Sequence, residues 1–145
     1  MSLSGFTFRT TTWAAALAAP LLCCASCTRN DGRVPVYPVR GQVFVGQKPA
    51  TKALVVFHPV GREDPQALRP YGHVGADGSY RLTTYEAGDG APTGDYRVSV
   101  VWLAPSGGED PPDQLKGRYR DPGASSLKAT VQQGPNEIAP FKLTP

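Results

Sequence analysis

The sequence predicts an all-β protein, a seven-stranded antiparallel β-sandwich that follows a signal peptide. Three observations support this fold class. Apolar and polar residues alternate over short segments, as they do in strands that bury one face. The 145 residues include 16 glycines and 15 prolines, which separate these segments as turns. No stretch has the spacing of an amphipathic helix long enough to cover a sheet.

The N-terminal segment has the layout of a secretory signal peptide. The apolar run from Trp13 to Cys27 ends in small residues, and Arg9 is the only charged residue before it. The chain turns polar directly after this run. Such a run is too short for a membrane span, which needs about 20 apolar residues. We therefore predict that residues 1–26 are a signal peptide and that the protein is exported.

The cysteine that ends this run predicts a lipid anchor. Ala25, Ser26 and Cys27 resemble the end of a bacterial lipoprotein signal, where small residues precede a cysteine that receives lipid and becomes the mature N-terminus. Cys24, with Leu21 three positions before it, is the alternative lipidation site. An ordinary cleaved signal and an uncleaved apolar anchor are the other interpretations. Lipidation would attach the protein to the cell membrane or the outer membrane, facing the periplasm or the exterior.

Cysteine usage and charge exclude several classes of function. All three cysteines lie between positions 23 and 27, so the rest of the chain has no disulfide framework. Cys24 and Cys27 form a C-x-x-C pair, but no second ligand pair or βαβ pattern accompanies it, which argues against redox or metal chemistry. The 15 basic and 12 acidic residues are scattered singly, so no basic stripe indicates a nucleic-acid partner.

The mature chain divides into a tether and one domain. Residues 27–36 are polar and interrupted by proline, which predicts a short tether. Residues 37–145 are enough for a single domain with one modest core. We expect this domain to fold by itself as a monomer.

Seven segments of this domain predict strands. In the first, apolar residues alternate with Arg40 and Gln42, and the second, Ala53–Phe57, is a β-branched run typical of a buried strand. Asp77 and Gly78 form a strong hairpin signal between the third and the fourth. The predicted strands are residues 39–45, 53–57, 71–75, 79–84, 96–103, 127–131 and 139–143.

The strand over residues 96–103 has the clearest pattern, with Tyr96, Val98, Val100 and Trp102 on one face. Tyr96 follows a turn cluster and resembles the aromatic corner of sandwich folds, in which the tyrosine hydroxyl holds a loop. We expect Trp102 in the core, and a ligand-stacking platform is the alternative. The predicted core comprises Val43, Val55, Phe57, Leu82, Val98, Val100, Val131 and Phe141.

A set of motifs occurs in order along nearly all of the mature chain. They include V-x-G-x-V at 39–43, A-D-G-S-Y-x-L at 76–82, G-D-G-A-P-x-G at 88–94 and Y-x-D-P at 119–122. Together they resemble the carboxypeptidase regulatory-like domain, a small β-sandwich of the transthyretin (prealbumin) type. The resemblance implies that fold, in the manner of small bacterial lipoproteins built from this one domain. It implies no catalytic residue, because the family has no common active site.

The chemistry-bearing residues do not predict an enzyme. His58 and His73, the two histidines, have no partner at metal-ligand spacing. No nucleophile elbow, Gly-rich phosphate loop or zinc-protease motif occurs. Glu86, Asp89 and Asp95 are close oxygen donors of the kind that binds Ca²⁺, but turn chemistry accounts for the same residues. We therefore predict no catalytic residue, no cofactor and no metal.

The long segment from Ala104 to Arg120 is the candidate interaction loop. It has no periodicity, and such a stretch inside a compact domain is usually either functional or disordered. A tolerated insertion without a role is the alternative. The candidate contact residues are acidic in its first half and basic or aromatic in its second: Glu109, Asp110, Asp113, Lys116, Arg118, Tyr119 and Arg120.

Two functions from different classes follow from these observations. The first is a noncatalytic, membrane-anchored envelope lipoprotein whose β-sandwich serves as a structural or protein-interaction module. The second is a carbohydrate-binding module that uses exposed aromatic side chains such as Tyr71, Tyr85, Trp102 or Tyr119. The predicted partners are the membrane, through the N-terminal lipid, and an envelope protein or glycan.

Overall fold

The computed structural model describes residues 32–61, 64–105 and 110–145. The predicted signal peptide, the candidate lipidation sites Cys27 and Cys24, and Glu109 lie outside the described residues. Gly32–Pro145 form one unit, and the part of it that is described consists of strands, turns and loops. No helix among the described residues is long and apolar enough to cross a membrane.

Nine strands occur in the described residues. Seven of them match the seven predicted segments, and the additional β2 and β8 have two residues each and pair with β1. The prediction of seven strands is therefore corrected to nine, because a two-residue pairing leaves no periodic pattern in a sequence. The strands are β1 (Val39–Val45), β2 (Lys48–Pro49), β3 (Leu54–Pro59), β4 (Tyr71–His73), β5 (Ser79–Arg81), β6 (Gly94–Val101), β7 (Lys128–Val131), β8 (Asn136–Glu137) and β9 (Phe141–Leu143).

The first sheet has five strands arranged about β1. β2 and β5 are antiparallel to β1, whereas β8 and β9 are parallel to it, with Val43 opposite Phe141. The prediction of a wholly antiparallel sandwich is therefore wrong for these two pairs. The parallel pairing follows from the path of the chain, because the chain reaches β8 and β9 from β7 of the other sheet rather than through a hairpin.

The second sheet has four antiparallel strands in the order β4-β3-β6-β7. β3 pairs with β6 along its whole length, with Val55 opposite Val100 and Phe57 opposite Val98. This pairing places the apolar alternation of both strands on the same face. The inner face of the sheet is therefore continuous and apolar.

Side chains of both sheets meet in a single core. Phe57 of the second sheet and Tyr80 of the first have ring centroids 6.4 Å apart. Two sheets that enclose one core form an all-β arrangement consistent with a β-sandwich. The predicted core is confirmed, because every one of its residues is buried: Val43, Val55, Phe57, Leu82, Val98, Val100, Val131 and Phe141.

The turn at Asp77 and Gly78 connects the two sheets. The Asp77 carboxylate accepts hydrogen bonds from the hydroxyl and then from the backbone N–H of Ser79, and these bonds lower the pKa of Asp77. The predicted hairpin is only partly formed, because β4 joins β3 and β5 joins β1, although Tyr71 and Thr83 still bridge. The sequence signal therefore predicts the turn correctly. It does not predict that the two strands flanking the turn belong to different sheets.

Candidate functional site

The segment predicted as the end of the tether lies against the domain. The Arg33 guanidinium is 5.0 Å from the centre of the Tyr85 ring and 3.8 Å from the Glu86 carboxylate. The backbone N–H of Val34 donates to the Tyr85 hydroxyl at 3.2 Å. Tyr37 then bridges to Ala91 through two backbone hydrogen bonds. The chain is thus held to the domain from residue 33 onward.

A glycine allows this attachment. Gly90 has a φ of +104°, and a Cβ at this position would overlap the backbone carbonyl oxygen of Tyr37. Only a residue without a Cβ lets these two backbone segments approach each other this closely. Within the sequence G-D-G-A-P-x-G at 88–94, Gly90 therefore makes room for the incoming segment.

The Asp89 carboxylate also stabilises this turn. Burial by itself would raise the pKa of the carboxyl group, but the backbone N–H groups of Thr84, Glu86 and Tyr85 donate to it, and its pKa is lowered overall. Asp95 instead accepts a hydrogen bond from the Thr130 hydroxyl at 2.6 Å. The candidate calcium carboxylates are therefore used separately. Within the described residues, no three His, Cys, Asp or Glu side chains form a group that could hold a metal ion.

A groove with a mixed polar and apolar lining lies beside the attached segment. It has a volume of about 520 Å³. It is at the end of the second sheet where β3 stops at Pro59 and β6 starts at Gly94, which we call the tether end. Tyr96 lines its floor and donates its hydroxyl to the carbonyl of Pro92 at 2.8 Å. This bond confirms the predicted aromatic corner, and it fixes the wall of the groove.

Three aliphatic side chains of the groove are exposed to solvent. Val34 is 40% exposed, Val60 54% and Leu68 37%, and we call these three residues the apolar rim. Only two other large hydrophobic side chains in the described ranges are as exposed, Tyr71 and Leu103. Clustered rather than scattered apolar exposure marks an interaction surface. The groove is therefore the candidate functional site.

The opposite end of the same sheet is covered by the segment that follows β6. We call it the far end, where β3 starts at Leu54 and β6 stops at Val101. The Asp113 carboxylate accepts hydrogen bonds from the backbone N–H groups of Trp102, Leu115 and Gly117 at 3.0–3.1 Å. These bonds fold the chain after β6 back over the sheet.

The predicted interaction loop lies at this far end. Asp110, Lys116, Arg118 and Arg120 are exposed, as a contact surface requires. Leu115, however, is fully buried. The described part of the loop therefore contributes to the core, a role that the lack of periodicity had hidden.

Tyr119 also belongs to the core rather than to the surface. It is 9% exposed, and its backbone carbonyl accepts the N–H of Val100. Its hydroxyl meets the side chain and the backbone N–H of Thr144, and these hydrogen bonds lower the pKa of Tyr119. The expectation that Tyr119 is an exposed aromatic is therefore wrong.

The other candidate aromatics differ in exposure. Trp102 is half-buried and packs against the core, and its indole N–H donates to the carbonyl of Thr51 at 3.0 Å, so the core interpretation is confirmed in part. Tyr85 is half-buried beneath Arg33. Tyr71 is 45% exposed and lies edge-on to His73. Of the four named aromatics, Tyr71 alone presents an exposed ring.

A histidine–serine pair is the contact that the sequence did not predict. His58 Nε2 lies 2.8 Å from the Ser99 hydroxyl, on adjacent strands β3 and β6. Burial, and then the positive charge of Arg69, lower the pKa of His58, which favours the neutral base. Ser99 is only 5% exposed, and no carboxylate among the described residues hydrogen-bonds the His58 ring. The pair thus lacks both the access and the orienting acid of an activated nucleophile.

Comparisons with known proteins add no relative. No family model matches the sequence, no curated protein is significantly similar to it, and no solved structure matches its fold significantly.

Proposed function

We propose that the protein is a bacterial envelope lipoprotein, attached to a membrane by lipid on Cys27, or on Cys24 as the alternative. The observation that carries this proposal is a spacing. Cys27 closes the apolar run, and the β unit begins only five positions later at Gly32. A lipid-modified N-terminus followed by a short tether and one domain explains both features.

The β unit acts in this proposal as a noncatalytic structural or protein-interaction module of the carboxypeptidase regulatory-like, transthyretin-type class. Two observations support a noncatalytic role. The carboxylates of Asp89 and Asp113 are engaged by backbone N–H groups of turns. The Ser99 hydroxyl beside His58 is buried. The partners are the membrane, through the lipid, and an envelope protein or glycan.

The N-terminus of the mature protein tests the anchor. The full-length protein is expressed in a bacterium, membranes are separated from soluble fractions, and the N-terminal peptide is examined by mass spectrometry. We expect a lipid-modified peptide that begins at Cys27. A diacylglycerol and an amide-linked acyl chain together give the two hydrophobic signals that stable anchoring requires.

Matched cysteine variants make the test specific. Cys27→Ser should move the protein out of the membrane fraction, and Cys24→Ser should leave it there. The reverse result assigns the lipid to Cys24. An unmodified peptide that begins at or after Thr28 contradicts the anchor altogether.

A further inference from the structure

The apolar rim is exposed at the end of the domain where the tether arrives. Val34 belongs both to the attached segment and to the rim, so the tether ends at the groove itself. Val60 directly follows β3, and Leu68 belongs to the loop between β3 and β4. Two segments that are separate in the sequence thus present aliphatic side chains on one surface beside the attachment point.

The length of the tether limits where this surface can be. From Cys27 to Gly32 the chain takes five steps, and an extended chain spans at most about 3.6 Å per residue, or about 18 Å in total. The seven steps from Cys27 to Val34 span at most about 25 Å. A lipid on Cys27 would therefore keep Val34, and with it the groove that Val34 lines, within about 25 Å of the lipid attachment point.

We propose that the apolar rim of Val34, Val60 and Leu68 contacts the surface of the lipid bilayer that holds the N-terminal lipid. This inference rests on the proposed lipid anchor. Three partly exposed aliphatic side chains bind a bilayer too weakly to hold a free protein. On a short tether, however, the effective concentration of the second contact reaches the millimolar range, so a weak contact is sufficient to orient the domain.

The polar surroundings of the rim favour a lipid surface without strong charge. Asp95, which lines the groove, is hydrogen-bonded to the Thr130 hydroxyl, and Arg33 lies beside Glu86. Leu68 is followed by the exposed Arg69. Charges of both signs therefore surround the apolar side chains. We expect the contact to depend on apolar burial and to be insensitive to salt.

The far end supplies a matched control surface. Leu103 is 46% exposed, similar to Val60 at 54%. It lies beyond the end of β6, whose eight residues from Gly94 to Val101 span about 23 Å at about 3.3 Å per step. Both side chains are apolar and exposed, and they differ in distance from the tether.

Site-specific photocrosslinking in membranes tests the orientation. The photoreactive amino acid p-benzoylphenylalanine is placed at position 60, 68 or 103 of the full-length protein, and the protein is expressed with its own signal. Membranes are isolated, irradiated, and analysed for lipid adducts by mass spectrometry. We expect lipid adducts at positions 60 and 68, and background levels at position 103.

A second pair of variants tests the apolar nature of the contact. With the photoprobe at position 68, Val60→Asp should reduce the lipid adducts to background while the protein stays in the membrane fraction. Leu103→Asp should leave the adducts unchanged. Both aspartates lie on the surface, so neither substitution buries a charge.

Each outcome separates this inference from the anchor on which it rests. Absence of the protein from the membrane fraction overturns the lipid anchor, and the inference with it. A membrane-bound protein with equal adducts at positions 60 and 103 overturns the orientation and leaves the anchor intact. Crosslinks at position 60 to a second copy, or to another protein, assign the rim to that partner and likewise overturn the bilayer contact.

Discussion

The two ends of the second sheet differ in how many large aliphatic side chains they expose: among the described residues, Val34, Val60 and Leu68 at the tether end and Leu103 at the far end. At the far end, Asp113 holds three backbone N–H groups, the Trp102 indole donates to a carbonyl, and Leu115 is fully buried. At the tether end, Val60 and Leu68 remain exposed beside a groove. The same two strands form both ends, so the difference comes from the connecting segments and not from the sheet.

This difference indicates where the domain is free to interact. A segment that folds back to bury its own apolar anchors leaves little apolar surface for a partner. A segment that leaves aliphatic side chains exposed as a group retains that surface. The long loop is conspicuous in the sequence because of its length, whereas the groove is formed by residues of several separate connections.

The largest expected effect concerns the far end. Leu115→Ala removes a fully buried side chain and should lower the free energy of unfolding by about 2–5 kcal/mol. Leu103→Ala, at an exposed position of the same end, should change it by less than about 0.5 kcal/mol. Urea unfolding followed by Trp102 fluorescence measures both. If the two variants lower the free energy of unfolding equally, the loop is a tolerated insertion.

The pattern of alternation explains how much of this fold the sequence predicts. Val98, Val100 and Val131 lie on strands long enough to show a period of two, and they are buried as predicted. Leu115 and Tyr119 are single anchors within an aperiodic segment, and a single anchor produces no pattern. The parallel pairing of β9 with β1 joins segments about 100 positions apart, and no local signal encodes such a pairing.

The candidate site was predictable only in part for the same reason. The aromatic corner at Tyr96 depends on a turn and a tyrosine that are adjacent in sequence, so local chemistry reveals it. The apolar rim joins Val34 of the segment before β1 with Val60 and Leu68 of the β3–β4 connection. Each of them alone is an ordinary surface residue. Their grouping exists only once the chain has folded.

An intermediate effect is expected where the chain is held at the tether end. Gly90→Ala introduces a methyl group that overlaps the Tyr37 carbonyl and also strains a positive φ, and it should cost about 2–4 kcal/mol. Gly88→Ala is the matched control, because φ is +74° there and the space is open, so only about 1–2 kcal/mol of backbone strain is expected.

Limited proteolysis shows where the Gly90→Ala change acts. Cleavage between residues 32 and 37 should become faster than in the Gly88→Ala variant, because the Tyr37–Ala91 bridge is lost. If the two variants unfold and are cleaved alike, the segment is not held through Gly90.

The smallest expected effect is a dependence on pH near the tether end, where His58 precedes Pro59 of the groove. Burial and the charge of Arg69 hold the pKa of His58 below its ordinary value of 6.5, so the unfolded chain binds a proton there before the folded chain does. The contribution of His58 to stability is therefore complete above about pH 6.5 and is lost as the pH falls through the lower folded pKa. Asp77 and Asp89 also have lowered pKa values, but their contributions are complete above about pH 3.8 and do not change in this window.

Thermal unfolding at pH 7.5 and pH 5.5 isolates this contribution, because the two carboxyl groups stay ionised at both values. We expect the melting temperature of the parent to fall between them, and His58→Gln, whose amide can still bond the Ser99 hydroxyl, to reduce that fall. His73→Gln, at the exposed histidine of β4, controls for the loss of an imidazole. An unchanged pH dependence in His58→Gln would mean that the ring is as accessible to protons in the folded chain as in the unfolded one. Water would then reach the tether end beneath the groove as well as at the apolar rim. The apolar surface there would extend less far into the domain than the burial of His58 and Ser99 indicates.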